Sequence, residues 1–374
     1  MFRGRGPLRS VRHVDGTRGW LATSYSLVRT VLTDPRFSVS APVSQGADPL
    51  SNPLSDLYVS TGRGGNLLDL DGAQHARLRR LHTGYFSIRR VNELSPHLDE
   101  IVTRCLADVE AVGPPVDLVG AFAFPFHSLV VCEVLGLPHH DAEWLEQRRP
   151  SVVRDRDAGP DEAERAMLEY IDYLSRAITE RRIRPTDDVL SGLCATGELS
   201  DAEIIVAASE MTGTALTNTI ALAVLALLAE RDRWKALSTE PTRIDAAVEE
   251  LLRYVGAFQV VRRTALEDVE LEGEVVPKGE VVILSLVGAN HDPDQFADPE
   301  RLDFTRNATG QVAFGHGRHI CVAQHLARLE LKTAVSGLIG RFPTLRLAVP
   351  IDLVEMYSPE HGQIYGLKTL PVEW

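Results

Sequence analysis

The alternation of apolar and polar positions divides the chain into a short mixed region, a long helical region and a region of short strands. Residues 19–24 are typical of a strand edge that leads into a helix over residues 27–32. From His75 to about Leu252 the apolar positions recur at helical spacing. Residues 41–66 are rich in Pro, Gly, Ser and Asn, which predicts a long loop. A loop of that length is more often functional than idle, so we expect it to cover a ligand.

The longest predicted helix spans about residues 201–231. Ser200 and Glu203 have the spacing of a capping box, in which each side chain binds the backbone N–H group of the other residue. The middle of this helix is apolar on nearly every face, which is typical of a helix at the centre of a large domain. Upstream, amphipathic helices are predicted over residues 141–149 and 161–181.

After Arg253 the pattern changes to short strands with turns between them. The predicted strands cover residues 260–264, 269–271 and 281–284, with further strands near the end of the chain at 345–347 and 364–367. Together with the helical region, this pattern predicts a mainly α protein with a smaller β region.

The composition narrows the classes of protein that fit this pattern. Of the 374 residues, 44% are hydrophobic and 24% are charged, as in a globular protein with a substantial core. The net charge of −13 argues against general binding to nucleic acid or to an anionic membrane surface. The length fits about two domains of average size or one large domain.

Cysteine usage and the apolar segments bear on the location of the protein. The 4 cysteines lie far apart and form no CxxC pair, which suits a reducing cytoplasm better than a disulfide framework. The N-terminus has no apolar run after its positive charges, so no signal peptide is predicted. The most apolar stretch, residues 219–229, is shorter than the roughly 20 residues that cross a bilayer. We therefore expect a soluble cytoplasmic protein.

The segment around Cys321 contains the clearest candidate chemistry. Gly315 and Gly317 predict a tight turn, and an apolar-periodic helix is expected to begin near Cys321. The N–H groups at the start of a helix favour the thiolate form of a cysteine. A thiolate surrounded by backbone N–H donors is a good ligand for haem iron. The alternative is a buried cysteine beside a helix cap, which is the more common situation for a lone cysteine.

A zinc site is a further interpretation of the same segment. His316, His319, Cys321 and His325 are close in sequence and are ligand types that zinc accepts. Their spacing matches no common zinc pattern, and Arg318 stands between the two histidines of the turn. Zinc binding therefore stays open as an alternative.

Residues 314–328, FGHGRHICVAQHLAR, closely resemble the haem-binding signature of the cytochrome P450 family, FGxGxHxCxGxxLAR. Every fixed position matches except Ala323, where the family usually has glycine. The resemblance implies that Cys321 is the axial thiolate ligand of the haem iron. It also implies that His319 contacts a haem propionate and that Phe314 packs over the ligand loop. The implied cofactor-binding residues of this segment are Phe314, Gly315, His319 and Cys321.

A second match to the family lies upstream, in a predicted helix. Glu250 and Arg253 stand at i, i+3 and can pair on one helix face. Such a pair alone is usually a solvated ion pair. In the family, however, an ExxR pair holds the core beneath the haem. Residues 298–304 then resemble the family segment whose arginine, here Arg301, completes that network.

Two further matches concern the haem propionates. His75 and Arg79 lie one helical turn apart, and taken alone they are better explained as a solvated polar face. They match the family's HxxxR pair, which meets a propionate, and a bidentate arginine suits such a carboxylate. Arg263 matches another propionate-binding arginine, and the neighbouring Arg262 competes for that assignment. The matches run in family order to Glu330, with weaker similarity on either side, so the resemblance covers essentially the whole chain.

The long central helix departs from the family pattern. The family sequence AGxETT contains an acid followed by an alcohol, which together relay protons during oxygen activation. Alignment on Gly213 or on Thr217 puts Ala215 and Leu216 at the positions of this pair. One explanation is tolerated drift in an apolar helix. The other is that Thr214, Thr217, a water or a substrate hydroxyl supplies the protons, or that the reaction needs fewer protons. Proton delivery accelerates such steps on the order of 100- to 10,000-fold.

The resemblance implies one cytochrome P450-like domain over residues 1–374, a triangular helical prism with haem b between the central helix and the helix after Cys321. It implies a monooxygenase or oxidase of secondary-metabolite biosynthesis, supplied with electrons by ferredoxin and ferredoxin reductase. The substrate is expected to be a small organic or peptide-like molecule. The missing pair favours an atypical reaction such as oxidative coupling or substrate-assisted hydroxylation. The alternative is a haem-binding recruitment protein, for example one that docks a carrier protein, without turnover.

The substrate pocket is expected to lie between the central helix and the irregular segments. Residues 41–66 and the polar link 154–160 would frame it. Its candidate lining residues are Met211, Thr214, Ala215, Leu216 and residues 256–260.

Overall fold

The computed structural model describes residues 6–12, 18–40, 67–148, 160–211, 215–357 and 365–374. Helices predominate in these ranges and strands are few, so the prediction of a mainly α protein with a smaller β region is confirmed. Thr214, the loop 41–66 and residues 154–159 of the polar link lie outside the described residues.

The helices follow the predicted helical periodicity closely. The helix expected over 27–32 and the two expected over 141–149 and 161–181 are all present within a few residues of their predicted bounds. In chain order the helices are α1 (Tyr25–Thr33), α2 (Gly72–Thr83), α3 (Ile88–Val112), α4 (Phe124–Leu135), α5 (Ala142–Arg148), α6 (Pro160–Ile183), α7 (Val189–Ala195), α8 (Asp201–Met211), α9 (Ala215–Leu228), α10 (Arg231–Thr239), α11 (Ile244–Val255), α12 (Leu286–Asn290) and α13 (Gln324–Arg341).

The strands predicted after Arg253 are also present. The expected strand at 364–367 is wrong, because in its described part only Leu367 forms an isolated bridge, with Met356. The pattern did not predict the strands at 8–12, 37–38, 116–117, 274–276 and 371–373. In chain order the strands are β1 (Leu8–Arg12), β2 (Arg18–Ala22), β3 (Phe37–Ser38), β4 (Val116–Asp117), β5 (Val260–Ala265), β6 (Val269–Leu271), β7 (Glu274–Val276), β8 (Val281–Ser285), β9 (Arg346–Leu347) and β10 (Pro371–Glu373).

The largest sheet joins the two ends of the chain. Its strand order is β1-β2-β8-β5-β3, with β2 parallel to β8 and the other neighbours antiparallel. Within it, Arg263 of β5 lies opposite Val282 of β8. Smaller sheets have the orders β4-β10-β9 and β6-β7. The large sheet therefore fixes the position of Arg263 relative to the N-terminal strands.

Apolar side chains form two cores. The larger core lies among the helices, and the smaller core lies between the large sheet and α1. Fully buried members of the larger core include Leu98, Phe126, Leu174, Ile220 and Leu331, and members of the smaller core include Trp20, Val28, Val282 and Leu284.

The predicted central helix corresponds to α8 and α9, which end at Leu228, earlier than expected. The capping box is confirmed. The N–H of Ser200 donates to Glu203 Oε2 at 2.9 Å, and the N–H of Glu203 donates to Ser200 Oγ at 3.2 Å. This reciprocal pair satisfies two of the N–H groups that the start of a helix leaves without partners.

The segment Asp201–Leu228 is, by length and composition alone, able to cross a membrane. This segment is longer than the apolar stretch 219–229, and it includes residues 212–214, which lie outside the described residues. However, 73% of the apolar window is buried inside the protein. Burial of this kind is typical of a core helix covered by its neighbours.

Candidate functional site

The segment that contains Cys321 is a tight loop closed by a backbone hydrogen bond. The N–H of Cys321 donates to the carbonyl of Phe314 at 2.9 Å. Gly315 and Gly317 have φ angles of 74° and 76°. This is the left-handed region, which glycine adopts without a steric penalty. The predicted glycine turn is therefore present in the structure.

Gly317 is also required by close packing against α1. A Cβ atom at this position would lie 2.9 Å from Thr33 Cγ2 and 3.2 Å from the carbonyl oxygen of Leu32. Next to it, His316 Nε2 lies 3.0 Å from Arg29 Nη2. The loop is thus held against α1, and a side chain at Gly317 would require the Thr33 side chain or the end of the helix to shift.

The start of the helix after Cys321 differs from the prediction. Helix α13 begins at Gln324, three residues beyond the cysteine. The pKa of the Cys321 thiol is raised, because burial outweighs the backbone N–H of Ala323 and the charges of Arg79 and Arg328. The N–H of Ala323, the residue before the helix, favours the thiolate as expected, but the cost of burial is larger. A positive charge at the sulfur would offset that cost.

Nitrogen-bearing side chains from three distant segments gather beside the loop. His75 in α2 is 5% exposed, and its ring centroid lies 4.1 Å from that of His319. Arg263 in β5 is 6% exposed, and its charge acts on both histidines. Arg79, one turn after His75, donates to the carbonyl of Ile320, the residue before the cysteine. The structure thus brings together the four predicted propionate contacts.

Burial and crowding of positive charge set the protonation of this cluster. Burial, followed by the charge of Arg263, lowers the pKa of His319 to about 4. Burial likewise lowers the pKa of Arg263 to about 10, and burial with the charge of Arg79 lowers the pKa of His75. A bound anion would relieve the repulsion within the cluster. The arrangement is therefore suited to a group that contains carboxylates.

Asp71, which the sequence analysis missed, lies at the edge of the same cluster. Its Oδ1 lies 3.2 Å from His319 Nε2, and its Oδ2 accepts from the hydroxyl of Ser38 at 2.6 Å and the N–H of Val39 at 2.9 Å. Burial raises the pKa of Asp71, but these hydrogen bonds, with one from Ser40, lower it to about 2. Asp71 directly precedes α2, so an aspartate before a helix was the available sequence signal.

The choice between the two neighbouring arginines of β5 follows from the alternation of a strand. Arg263 is buried on the face of the cluster, whereas Arg262 is partly exposed. Successive side chains of a strand point to opposite faces. The structure therefore places Arg263, and not Arg262, beside His75 and His319.

The zinc interpretation is wrong for the described residues. No group of three His, Cys, Asp or Glu side chains in this part of the chain is placed to hold a metal ion. His316 lies against Arg29, and His319 lies against Asp71 and His75. The histidines near Cys321 thus have separate partners.

Glu250 and Arg253 form a pair at the centre of the protein. Both are 0% exposed. Arg253 Nε and Nη2 donate to the two carboxylate oxygens of Glu250 at 2.7 and 2.8 Å, and Nη1 donates to the carbonyl of Asn290 at 2.8 Å. The pair is not a solvated surface ion pair, and it fixes α11 to the end of α12.

The third arginine of this network is Arg306 and not Arg301. Arg306 Nε donates to Glu250 Oε1 at 3.0 Å. Arg301 contributes only its backbone carbonyl, which accepts from Arg253 at 3.4 Å and from Arg306 at 3.2 Å, while its side chain is exposed. The prediction for the Arg301 side chain is therefore wrong, because the chain turns after residue 301 and returns Arg306 to the buried carboxylate.

A second contact ties α11 to the helix after the cysteine loop. Arg328 Nη2 donates to Glu249 Oε2 at 3.3 Å. The guanidinium carbon of Arg328 also lies 4.7 Å from the ring centroid of Phe314, which packs against the larger core. Arg328 therefore links the ends of the loop to α11.

The central helix contains one predicted hydroxyl within the described residues. Thr217 is 0% exposed, and its Oγ1 has no hydrogen-bond partner there. Ala215 and Leu216 are partly buried, and Leu216 packs against the larger core. At the end of α8 lies Glu210, an acid in an apolar stretch that the sequence analysis did not select. Its presence in that stretch was the signal that could have identified it.

Known proteins that resemble this chain match it over its whole length. The family model described as Cytochrome P450 matches residues 234–349. The cytochrome P450 monooxygenase PikC from Streptomyces venezuelae is 37% identical over 388 residues, which cover 100% of this chain and 89% of the relative.

Solved structures give the same result. The mycinamicin VIII C21 methyl hydroxylase MycCI from Micromonospora griseorubida matches with a TM-score of 0.89 at 31% identity, covering 100% of this chain and 95% of that chain. SgvP, described as a putative thioether synthase of griseoviridin tailoring, matches with a TM-score of 0.89 at 32% identity, over 100% of this chain and 94% of that chain.

Proposed function

The chain belongs to the cytochrome P450 family, and from that premise we propose that Cys321 is the thiolate ligand of its haem iron. The protein is a haem-thiolate oxidoreductase of the monooxygenase type. The observation that carries the assignment is the placement of Cys321 in a glycine-turned loop, beside Arg79 and the cluster of His75, Arg263 and His319.

The residues present fit a haem. Cys321 is partly exposed, and burial by the surrounding protein raises the pKa of its thiol. His75, Arg79, Arg263 and His319 supply the donors that two propionates require. The chain contains no CxxC pair for covalent attachment, which supports haem b.

When bound, the haem iron supplies the oxidising chemistry of the family. The chain's own residues hold its ligand in place. The N–H of Ala323 donates to the sulfur, and the charges of Arg79 and Arg328 favour its negative charge. The loop packs closely against α1 at Gly317, and Arg328 connects the loop to α11 through Glu249. These contacts preorganise the ligand, so little reorganisation accompanies binding.

The absorption spectrum of the reduced protein under carbon monoxide tests the ligand assignment. We expect the band characteristic of thiolate-ligated haem in the wild type and in Cys194→Ser, whose cysteine lies elsewhere, in α7. Cys321→Ser should lose that band, because its hydroxyl cannot replace a thiolate. A colourless wild type with stoichiometric zinc, or an unchanged band in Cys321→Ser, would contradict the assignment.

The enzyme acts on a small molecule and takes its electrons from a redox partner. We propose a secondary metabolite of organic or peptide-like character as the substrate, with ferredoxin and ferredoxin reductase as the electron donors and the cytoplasm as the location. Support comes from the relatives: PikC is a monooxygenase, and MycCI hydroxylates and was solved with mycinamicin VIII. One catalytic unit over residues 1–374 fits the full-length likeness. A carrier protein as an additional partner remains a prediction.

An atypical reaction, such as oxidative coupling or substrate-assisted hydroxylation, is the finer proposal. Its support is the presence of Ala215 and Leu216 at the positions of the acid and the alcohol. The similar protein SgvP is described as a putative thioether synthase, which is a reaction other than simple hydroxylation. Analysis of the products formed with ferredoxin and ferredoxin reductase as electron donors tests this proposal. Efficient hydroxylation of a simple substrate that has no hydroxyl group, with little loss of electrons to peroxide, would contradict the proposal.

The recruitment alternative makes a different prediction for the same assay. A haem-binding protein without turnover would give the carbon monoxide band but would consume no more oxygen than its redox partners alone. The observation that favours this alternative is the presence of Ala215 and Leu216 at the positions of the acid–alcohol pair.

A further inference from the structure

Asp71 stands where an aspartate ordinarily caps a helix, yet its carboxylate is not used in that way. It directly precedes α2, and none of the described N–H groups of that helix donates to its side chain. Its two oxygens face other segments instead. One accepts from residues 38–40, and the other lies 3.2 Å from His319 Nε2. Helix capping therefore does not explain this aspartate.

The Oδ2 atom of Asp71 collects the donors of a short segment beside the large sheet. The hydroxyl of Ser38 donates to it at 2.6 Å, and the N–H groups of the next two residues donate at 2.9 and 3.2 Å. Ser38 ends β3 and lies opposite Thr264 of β5, the residue after Arg263. Asp71 thus fixes the start of α2 to the sheet that contains Arg263.

The Oδ1 atom of Asp71 binds the loop that contains Cys321. Asp71 is ionised at neutral pH, because burial raises its pKa but the hydrogen bonds from residues 38–40 lower it to about 2. A carboxylate only accepts hydrogen bonds, so His319 Nε2 donates to it. The side chain of His319, two residues before Cys321, is 9% exposed. One carboxylate therefore joins α2, the large sheet and the cysteine loop, the three segments that supply the proposed propionate donors.

The charge of Asp71 acts on the whole cluster of these donors. Burial lowers the pKa values of His75, Arg263 and His319, and the charge of Asp71 opposes this lowering in each of them. The carboxylate is thus a fixed negative charge beside the groups that would bind the propionates. Addition of an electron to haem iron makes the site more negative, and a neighbouring negative charge disfavours that change.

We propose that Asp71 is a positioning residue of the haem site, which holds the propionate-binding side chains in place and lowers the reduction potential of the iron by its charge. The proposal rests on the proposed haem-thiolate function and deepens it. Asp71 acts through His319 and the two neighbouring segments. It is not itself a propionate ligand, because two carboxylates repel each other.

A merely structural role predicts a different response to an isosteric substitution. Asp71→Asn keeps one oxygen that can accept from Ser38 and the two N–H groups, but it turns an NH2 group toward His319 and removes the charge. If the carboxylate only ties residues 38–40 to α2, Asp71→Asn should therefore behave as the wild type. Asp71→Ala removes the acceptors and the charge together.

Asp117 of β4 provides the matched control. It also accepts three backbone N–H groups, and its strand belongs to the sheet β4-β10-β9 rather than to the sheet that contains β5. The donors are Val119, Gly120 and Leu370. Asp117→Asn and Asp117→Ala therefore report the loss of similar backbone contacts away from the haem site.

Haem release tests the positioning role without any turnover. The haem-loaded protein is mixed with excess apomyoglobin, which captures released haem, and the absorption change gives the rate. We expect Asp71→Ala to release haem on the order of 10-fold faster than the wild type, since loss of a group that orients ligands commonly costs that much affinity. Asp71→Asn should also release haem faster, and both Asp117 variants should match the wild type. An Asp71→Ala rate no higher than that of Asp117→Ala would overturn the proposal.

The reduction potential tests the role of the charge. Spectroelectrochemical titration of the substrate-free protein should give a more positive midpoint for Asp71→Asn than for the wild type. Asp71→Glu keeps the charge, so its midpoint should lie closer to that of the wild type, and Asp117→Asn should show no shift. An Asp71→Asn midpoint equal to or below that of the wild type would contradict the proposal. This variant keeps an acceptor for residues 38–40, so it carries the test even if Asp71→Ala does not fold.

The carbon monoxide spectrum separates this failure from failure of the proposed function. If all variants show the thiolate band but share one midpoint and one rate of haem release, only the role of Asp71 is lost. If the wild type lacks the band, the haem-thiolate assignment itself fails.

Discussion

At the scale of single residues, Thr217 combines full burial with a hydroxyl that has no hydrogen-bond partner among the described residues. A buried hydroxyl without a hydrogen bond costs about 1–3 kcal/mol, which an apolar side chain of the same shape would not incur. The next threonine, Thr219, instead donates to the carbonyl of Ala215 at 2.7 Å. The two positions therefore allow a direct comparison of an unpaired and a paired hydroxyl on one helix.

We expect Thr217→Val to raise the free energy of unfolding by about 1 kcal/mol, because it removes a desolvated hydroxyl at nearly constant volume. Urea unfolding of the haem-loaded protein measures this. Thr219→Val loses a satisfied hydrogen bond and should give no such gain. Equal destabilisation of both variants would show that the Thr217 hydroxyl has a partner. A more stable but slower Thr217→Val would indicate that the hydroxyl is kept for function.

Glu210 makes stability depend on pH in a defined direction. Its pKa in the folded protein, about 8, lies above the ordinary value of 4.5. Between these values the folded protein keeps a proton that the unfolded chain has lost, so its stability falls as pH rises. Relative to Glu210→Gln, the wild type should lose about 2–4 kcal/mol between pH 5 and pH 8. Urea unfolding at several pH values measures the difference, and a constant difference would contradict the prediction.

At the scale of elements, the buried carboxylate of Glu250 holds helix α11 to the irregular segment around residue 306. Arg253, on the same helix, and Arg306, from that segment, both donate to it. Removal of one partner of a buried ion pair leaves charge without compensation, and that loss exceeds the value of a surface pair. This makes Arg306 a strong test of the corrected network.

Arg306→Ala should lower the free energy of unfolding by about 2–3 kcal/mol, since Glu250 then keeps one guanidinium, that of Arg253, and the N–H of Asp303. Arg301→Ala should change it by no more than about 0.5 kcal/mol, because that side chain is exposed. Denaturant unfolding of both variants provides the comparison. A larger loss in Arg301→Ala than in Arg306→Ala would restore the assignment made from the sequence.

The two glycines of the cysteine loop differ in what a side chain would meet. Both have positive φ angles. A Cβ at Gly315 would approach only the carbonyl oxygen of His319, at 3.7 Å, whereas at Gly317 it would meet Thr33 at 2.9 Å. The first position thus suffers backbone strain alone, and the second suffers strain together with a clash against α1.

We expect Gly315→Ala to destabilise the protein by about 1 kcal/mol and Gly317→Ala by about 2–4 kcal/mol. The second variant should also bind less haem, because displacement of the loop moves Cys321. Unfolding experiments and the intensity of the carbon monoxide band measure the two effects. Similar behaviour of the two variants would mean that α1 yields to the added methyl group.

At the scale of the whole molecule, a net charge of −13 contrasts with a local cluster of histidines and arginines. The pKa values of His75, Arg263 and His319 are all lowered, first by burial and then by neighbouring positive groups. In the described part of the chain, the desolvated hydrogen-bond donors His75, Arg263 and His319 therefore lie together although they come from three distant segments. Such a cluster is costly unless an anion is bound there.

Haem should therefore stabilise the apoprotein strongly. At a free haem concentration of 1,000 times its Kd, the gain in the free energy of unfolding should be about 4 kcal/mol. Thermal unfolding with and without added haem measures it as a rise in Tm. Zinc chloride in place of haem should give no comparable rise. A larger rise in Tm with zinc than with haem would favour the zinc interpretation over haem binding.

The sequence by itself determined the features that depend on near neighbours in the chain. Helical and strand periodicity located α1, α5, α6 and the strands β5, β6, β8 and β9, because side-chain spacing is set locally. The capping box at Ser200 and the glycine turn before Cys321 were predictable for the same reason. The i, i+3 spacing predicted that Glu250 and Arg253 can pair, and the family resemblance added that the pair lies in the core.

Only the tertiary structure decided which distant groups meet. It placed Asp71 against His319, chose Arg263 over Arg262, and put Arg306 rather than Arg301 on the carboxylate of Glu250. These outcomes depend on how the sheet, the helices and the loops pack. Side-chain burial and contacts across hundreds of residues are not encoded in any local spacing, and the same packing determines the protonation of buried acids.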